Sequence, residues 1–390
     1  MPIRKIFWLA TLMLVIPAAG RTQTLTPLSW PLGDSQLQLA GEAGGALFQP
    51  NQPGQRDGAA SGDLRLMPQL RRDYDSGLSL ALGGTLAAAD PLSYGRYDGD
   101  VIERLAASIR TGLGLLEIGI TDGAGYQLAV TGPKADPGAS LEDPRTSFYR
   151  DPVSHHALID MFALRTEVGA SSNYAKIGYS SPSLFGLQLA LSFTPSQAKQ
   201  LPFLNAGPHL PDRQADIWEA ALRYEIDLGP ASLTVGGGFA EGRGEHKLAG
   251  QEGISDLGLG MRADYPVTEK IAVSLGGAYR QSNAYGFDID QSWQVATTHA
   301  GYVSAAVTGW QWTANLEFGK GVAGPAGGQP GLGLNGLQAS LGYAISDSLG
   351  VSSGWQHLTY TRTNGLFFNG APQLKLDAVY MHLNMKTLEQ

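Results

Sequence analysis

The chain has 390 residues, of which 16% are charged and 52 are glycine, and its formal net charge is −8 at pH 7. An acidic chain without a basic stripe is not expected to bind nucleic acid. A high glycine content combined with few charges disfavours a helical enzyme. The chain has no cysteine, so an exported form needs a stabilising device other than disulfides; a large hydrogen-bonded sheet would serve.

The N-terminus predicts a secretory signal peptide over residues 1–20. Arg4 and Lys5 precede an uninterrupted apolar run at 6–19, which ends on small residues suited to cleavage. A run of about 14 residues is short for a membrane-spanning helix, and a buried N-terminal helix is the alternative. No other stretch has the roughly 18 apolar residues that such a helix needs. We therefore expect residues 21–390 to form a single exported domain.

The stretch SSPSLFGLQLALSFTP (180–195) shows the pattern that dominates the rest of the chain. Apolar side chains occupy every second position from Leu187 to Phe193, with small or polar residues between them. A period of two predicts a β-strand with one apolar face. Sixteen segments of this kind are bounded by turn signals. They lie at 35–48, 62–73, 77–88, 101–111, 113–121, 172–180, 186–194, 215–226, 232–241, 254–265, 271–281, 298–307, 310–320, 335–345, 349–360 and 373–385.

The connections between these segments alternate strictly between short turns and long loops. This is the expected connectivity of an even-stranded transmembrane barrel, with short turns on one side of the membrane and long loops on the other. Most segments have about ten residues, the length of a tilted membrane-spanning strand. A soluble sandwich has no reason to keep such an alternation through sixteen strands.

The residue types on the two faces of the predicted strands indicate what each face contacts. In the segment 310–320, Leu316 and Phe318 share one side, whereas Glu317 lies on the other. The segments 215–226 and 254–265 repeat this division between apolar and charged sides. Because unpaired charges are costly in a sealed core, we expect the apolar face to contact lipid and the charged face to line water. The prediction is an all-β fold, a 16-stranded antiparallel transmembrane barrel with an aqueous lumen.

The longest connection spans 122–171 and follows the fifth predicted strand. A connection of this length inside a compact domain is usually functional. Two stretches, LLEIGITDGAGYQLAV (115–130) and NYAKIGYSSPSLFGLQLALSFTP (173–195), together with the strand and turn layout, resemble the general bacterial porins, in particular those of α-proteobacteria. The resemblance implies a homotrimer of barrels in the Gram-negative outer membrane. It also implies a long third loop folded inward as a constriction, and passive diffusion of ions and small hydrophilic solutes.

By that resemblance, acids of the third loop face a basic cluster on the opposite wall of the pore. The loop candidates are Asp122, Asp136, Glu142, Asp143 and Asp151, and the wall candidates are Arg65, Arg71, Arg104 and Arg110. Opposed charges across a narrow pore create a transverse field that sets ion selectivity. The alternative for each residue is an ordinary solvated charge. The net charge of the lumen suggests a mild preference for cations.

Two other functions remain open at this stage. A substrate-selective channel for sugars or anions would share the architecture, and aromatic side chains along the lumen would favour it. A barrel enzyme would need a nucleophile, a histidine and an acid on adjacent strands; no such grouping can be recognised, and we expect no catalysis. The GLGLNG stretch at 331–336 matches a dinucleotide motif but lacks the helix that should follow. No cofactor is expected, although Ca²⁺ could bind clustered carboxylates such as Glu142 and Asp143.

Overall fold

A computed structural model of the chain describes residues 25–52, 58–89, 102–142, 149, 164–171, 174–197, 214–244, 253–283, 297–323, 331–363, 365–367 and 369–387. The signal peptide predicted at 1–20 lies outside these residues. Within the described part, no helix is both long and apolar enough to cross a membrane.

The described residues contain seventeen β-strands and two short helical turns. The strands are β1 (Leu28–Leu32), β2 (Ser35–Asn51), β3 (Ala59–Asp73), β4 (Ser79–Ala89), β5 (Ile102–Thr111), β6 (Gly114–Thr121), β7 (Tyr174–Ser180), β8 (Leu187–Ser196), β9 (Gln214–Leu228), β10 (Ala231–Gly244), β11 (Ser255–Thr268), β12 (Ile271–Ser282), β13 (Thr298–Gly309), β14 (Trp312–Ala323), β15 (Leu332–Ser346), β16 (Leu349–Arg362) and β17 (Gln373–Lys386). The helical turns are α1 (Ala124–Gln127) and a 3₁₀ turn (Pro137–Ala139).

Strands β2 to β17 form a closed antiparallel barrel of sixteen strands. Each strand pairs with its neighbour in sequence, and β17 closes the barrel by pairing with β2, with Lys386 opposite Glu42 at one end of the seam. The sixteen predicted strands are confirmed as β2 to β17, and every boundary falls within three residues of its prediction. The short turns lie at one rim of the barrel, which is called the short-turn end below. The long connections leave from the other rim, the long-loop end.

Strand β1 was not predicted from the sequence. It forms a hairpin with the start of β2 through a turn at Gly33, whose φ of +62° suits glycine. It pairs with the part of β2 that extends past the end of β17. At that end, Thr387 N–H donates to the Gly41 carbonyl (2.9 Å). The segment has apolar residues at alternate positions, but it is only five residues long and contains Pro31, so the pairing with β2 is what identifies it as a strand.

The division of faces predicted from the sequence is confirmed by exposure. Trp218 on β9 is 63% exposed and Leu316 on β14 is 54% exposed, whereas their neighbours Glu219 and Glu317 are 2% and 1% exposed. Paired residues on adjacent strands share a face, so this assignment extends around the whole barrel. The apolar side chains cover the outside, as expected of a barrel that contacts lipid.

Candidate pore site

The third long connection, between β6 and β7, makes the contacts from which a candidate site can be built. Residues 122–142, 149 and 164–171 of it are described. It begins with α1, runs through an irregular segment to the 3₁₀ turn, and makes hydrogen bonds with inward-facing side chains of several strands. This connection is called the third loop below.

Glu219 on β9 binds both ends of the third loop. Its Oε2 accepts a hydrogen bond from Gly125 N–H (3.0 Å), and its Oε1 accepts one from Ser171 N–H (3.1 Å). Nearby, Ala124 N–H donates to Ser192 Oγ on β8 (3.1 Å). A buried carboxylate therefore satisfies backbone donors at the beginning and at the end of the loop, where the loop has no regular partner strand.

Glu317 on β14 holds the far part of the loop in the same way. Its Oε2 accepts hydrogen bonds from Leu141 N–H (3.0 Å), Ser140 Oγ (2.7 Å) and the Tyr302 hydroxyl (3.0 Å). Its Oε1 accepts from the side-chain amides of two wall residues, Asn315 (2.9 Å) and Gln338 (3.1 Å). Five donors compensate the burial of this carboxylate, so the wall carries a fully satisfied acceptor at this point.

Asp136 is 3% exposed and points from the loop to the wall. Its Oδ2 lies 2.6 Å from His382 Nδ1 on β17 and accepts from Ser352 Oγ on β16 (2.6 Å). Burial opposes ionisation, but the hydrogen bond and charge of His382, with donors from Ser352 and Gly138, outweigh it and hold the pKa of Asp136 below its ordinary value. Asp136 thus attaches the loop to strands β16 and β17.

Glu142 is 1% exposed and is bound within the loop itself. Its Oε2 lies 3.2 Å from Lys134 Nζ, and its Oε1 accepts a short hydrogen bond from the Thr166 hydroxyl. Burial raises the pKa of Glu142 to about 7, against the attraction of the Lys134 ammonium. This carboxylate joins the descending and returning parts of the third loop.

The predicted loop acids are therefore placed differently from the expectation that they face the opposite wall. Asp122 bonds Arg104 (3.0 Å), which stands on β5, next to the strand from which the loop departs. Asp136 is held against the wall by its partners and Glu142 is held within the loop. Both side chains are therefore buried, whereas acids that line a pore would be exposed to water. Asp143 and Asp151 lie outside the described residues.

The four predicted arginines all point inward, as expected, from β3 and β5. Arg65 pairs with Glu103 (2.9 Å), and Arg104 donates to Thr121 Oγ1 (2.8 Å) in addition to its bond with Asp122. Arg71 pairs with Asp73 (2.9 Å) at the short-turn end. Arg110 is exposed and forms no ion pair within the described part of the chain.

Two further inward arginines were not among the predicted site residues. Arg223 pairs with Glu225 (2.6 Å) on β9, and Arg262 pairs with Asp264 (2.8 Å) on β11. In each case the acid follows two residues after the arginine, so both side chains share the inner face. The R-x-D or R-x-E spacing is the sequence signal that could have found them.

The residues of the middle segment of the loop, 128–132, alternate in exposure. Leu128, Val130 and Gly132 are buried, whereas Ala129 and Thr131 are partly exposed. This alternation indicates an extended segment with one side against the wall. The uncharged Ala129 and Thr131 are on its other side.

The described residues contain no group of three or more His, Cys, Asp or Glu side chains placed to hold a metal ion. The Ca²⁺ hypothesis also involves Asp143, which is outside them. Nearly all of the GLGLNG stretch forms the start of β15, so it lacks the strand-turn-helix setting of a dinucleotide site.

The profile of the Gram-negative porin family matches residues 32–365 of the chain. No curated protein sequence matches at a significant level. Identity with the solved structures is low, so their likeness concerns the fold.

Three solved structures illustrate that likeness. OmpF of Salmonella typhi, in complex with daunomycin, superimposes with a TM-score of 0.60 at 12% identity, over 92% of this chain and 100% of that one. An anion-selective porin from Comamonas acidovorans gives 0.53 at 12% identity, over 90% and 99%. The trimer form of the outer-membrane protein OmpT of Vibrio cholerae gives 0.55 at 10% identity, over 91% and 100%.

Proposed function

Because the chain belongs to the Gram-negative porin family and is an outer-membrane diffusion channel, we propose that it passes ions and small hydrophilic solutes with little specificity. In this proposal the third loop lies in the lumen and sets its narrowest section. The channel runs between the loop and the wall formed by β3 and β5. Solutes move down their concentration gradients, and no catalytic step is involved.

The observation that carries this proposal is the binding of loop backbone by inward-facing wall carboxylates. Gly125 N–H and Leu141 N–H donate to Glu219 and Glu317. Both acceptors are on the inner face, since Trp218 and Leu316 beside them face outward. Hydrogen bonds from the loop backbone to these acceptors support a loop that passes inside the barrel.

The position of the loop also determines where the pore is open. In a barrel of sixteen strands, strands eight apart are diametrically opposite, so β3 and β5 face β11 and β13. Pro133 O accepts from Ser304 Oγ on β13 (2.7 Å), which supports a position of this part of the loop across the lumen from Arg65 and Arg104. The constriction then has arginine–acid pairs on one side and the uncharged Ala129 and Thr131 on the other. Because most of these arginines carry an acidic partner, we expect weak ion selectivity.

Aromatic side chains favour the general channel over a sugar-selective one. Inward-facing Tyr302, Tyr360 and Tyr380 are all buried in one apolar cluster with Leu141 of the loop. They are covered by the loop and would not be available as a stacking surface for sugars along the solute path. This observation supports a general channel over a sugar-selective one. The reversal potential measured below distinguishes a general channel from an anion-selective one.

One serine, histidine and aspartate do meet, but not in the order that hydrolysis requires. Ser352 and His382 both bond the same oxygen of Asp136. In a catalytic triad the hydroxyl donates to the imidazole, and the carboxylate binds the far side of that ring. Here the hydroxyl is bound to the carboxylate and is buried. The cluster therefore supports an attachment of the loop rather than a hydrolase.

The outer surface offers a place for a second copy of the chain. None of the outward positions of β2 to β6, all described, is aromatic, and these strands present leucine, isoleucine, alanine and glycine, for example Leu64, Leu82 and Leu105. Aromatic girdles mark surfaces in contact with lipid headgroups, and outward aromatics such as Trp218 and Trp312 occur on the other strands. We assign the face of β2 to β6 to the homotrimer contact. Leu82→Arg should then yield monomers on native gels, whereas Leu259→Arg on β11 should leave the trimer intact.

A cysteine pair tests the position of the loop, because the chain has no cysteine of its own. A Cβ built on Gly342 of β15 lies 3.7 Å from the Ala135 Cβ, close to the roughly 3.8 Å of a disulfide. Oxidised Ala135→Cys/Gly342→Cys should form the bridge, and Ala135→Cys/Gly301→Cys, whose second cysteine faces outward, should not. A folded barrel that never forms the first bridge would contradict the inward loop.

The channel itself is tested by single-channel recording of the refolded protein in a planar bilayer under a salt gradient. Stable ohmic steps in groups of three, with a reversal potential near zero, are expected. A folded but silent barrel would contradict the open channel, and a strong preference for anions would favour the substrate-selective alternative.

A further inference from the structure

We propose that the inner wall contains a seat of glycines, Gly236, Gly238, Gly260, Gly276 and Gly342, that fixes the position of the third loop and so the width of the pore. The inference rests on the proposed function, since it assumes that the loop bounds the solute path. It assigns to these residues a part in solute selection, although none of them would contact a solute.

The buried side of the middle segment of the loop meets the wall where the wall has no side chain. A Cβ added to Gly260 of β11 would lie 1.7 Å from Val130 O, and one added to Gly238 of β10 would lie 2.9 Å from Gly125 Cα. On β12, a Cβ at Gly276 would lie 2.9 Å from Gly132 Cα. Ordinary carbon contacts need about 3.5 Å or more. The loop backbone is thus closer to the wall than any other residue type would allow.

The order of these contacts follows a chain that crosses the strands one after another. Val130 contacts β11, Gly132 contacts β12, Pro133 contacts β13 and Ala135 contacts Gly342 of β15. Four strand spacings of about 4.8 Å amount to roughly 19 Å, and five extended residues reach about 17 Å. The segment is therefore nearly straight and follows the wall, so its height above the wall is set by what projects from the wall.

The hydrogen bonds of the buried carboxylates Glu219 and Glu317 are a second observation, independent of the glycines, and they support the same position of the loop. They bind loop backbone at Gly125 and Leu141, on either side of the segment that crosses the glycines. The carboxylates hold the two ends of the segment, and the glycines let its middle lie flat. A methyl group added at Gly260 should lift the loop toward the lumen by about 1.8 Å, the difference between an ordinary contact of about 3.5 Å and the 1.7 Å that would separate the added Cβ from Val130 O.

The test compares single-channel conductance of Gly260→Ala with that of Gly178→Ala. Gly178 is an inward glycine of β7 whose added Cβ would meet nothing closer than 4.0 Å, so its variant controls for the loss of glycine itself. Gly260→Ala should lower the conductance by roughly a fifth, because conduction depends on the pore diameter, and Gly178→Ala should leave it unchanged. Equal conductance in wild type and both folded variants would overturn the seat.

A second variant serves if Gly260→Ala does not fold. The three atoms nearest to a Cβ added at Gly238 all belong to Gly125 of the loop, so Gly238→Ala acts first on the loop rather than on a neighbouring strand and should also lower the conductance. A wild-type barrel that passes no current would contradict the proposed function itself. A conducting wild type with an unaltered Gly238→Ala channel would overturn the seat alone.

Discussion

Replacing Glu317 by glutamine should release the far part of the third loop. Three donors converge on Oε2 and two on Oε1. An NH₂ group in place of Oε1 would face two amide donors. In place of Oε2 it could donate to the hydroxyls of Ser140 and Tyr302, but Leu141 N–H would lose its acceptor. At least one buried donor is left unsatisfied in either orientation, at a cost of about 1–3 kcal/mol, so Glu317→Gln should lower the free energy of unfolding by at least that amount.

Unfolding by guanidinium chloride in detergent micelles, followed by the fluorescence of the six tryptophans outside the predicted signal peptide, measures this loss. Trypsin cleavage after Lys134, which should become faster in the variant, reports on release of the loop itself. Glu225→Gln is the matched control, because Glu225 is an exposed inward acid whose bond to Arg223 should contribute no more than about 1 kcal/mol. If Glu317→Gln and Glu225→Gln unfold at the same denaturant concentration, Glu317 does not anchor the loop.

Arg104→Gln leaves Asp122 without its partner at 3.0 Å, so the reversal potential in a salt gradient should shift toward cation preference; an unchanged potential would place Arg104 outside the solute path. Thr131→Trp should reduce the single-channel conductance, whereas the same substitution at exposed Leu259 on the outer face should not; equal conductance would mean that Thr131 does not face the pore. Burial raises the pKa of Glu142 to about 7, whereas in an unfolded chain it is near 4.3, so wild type should lose stability as pH rises from about 4 to about 7. Glu142→Gln stays neutral, and its unfolding midpoint relative to wild type should be higher at pH 8 than at pH 5; a constant difference would show that Glu142 is not buried in this way.

The strands could be predicted because each is specified locally. Alternation over about ten residues defines a strand with two unlike faces, and the length of the connections gives the order of the strands around the barrel. β1 was not found in this way, because Leu28–Leu32 is only five residues long and contains Pro31, and its pairing with β2 defines it as a strand. The Gram-negative porin family, expected from the same stretches, is confirmed.

The roles of the charged residues could not be predicted from the same pattern. Glu317 and Glu225 both alternate with outward apolar residues, yet Glu317 is buried under the loop and Glu225 is exposed. Asp136 is in an acidic loop and was predicted to line the pore, but it is bound to His382, 246 residues away. No local rule distinguishes an acid that water solvates from one that receives donors from a distant segment.

By itself, the sequence determined the sixteen strands of the barrel, their order and which face of each contacts lipid, because these follow from periodicity within single segments. Only the tertiary structure decided which inward residues are covered and which remain open, because that depends on the path of the third loop across strands β8 to β17. Glu219 and Glu317 are far in sequence from the loop backbone donors that they accept, Gly125 and Leu141, so only the closed barrel brings these groups together.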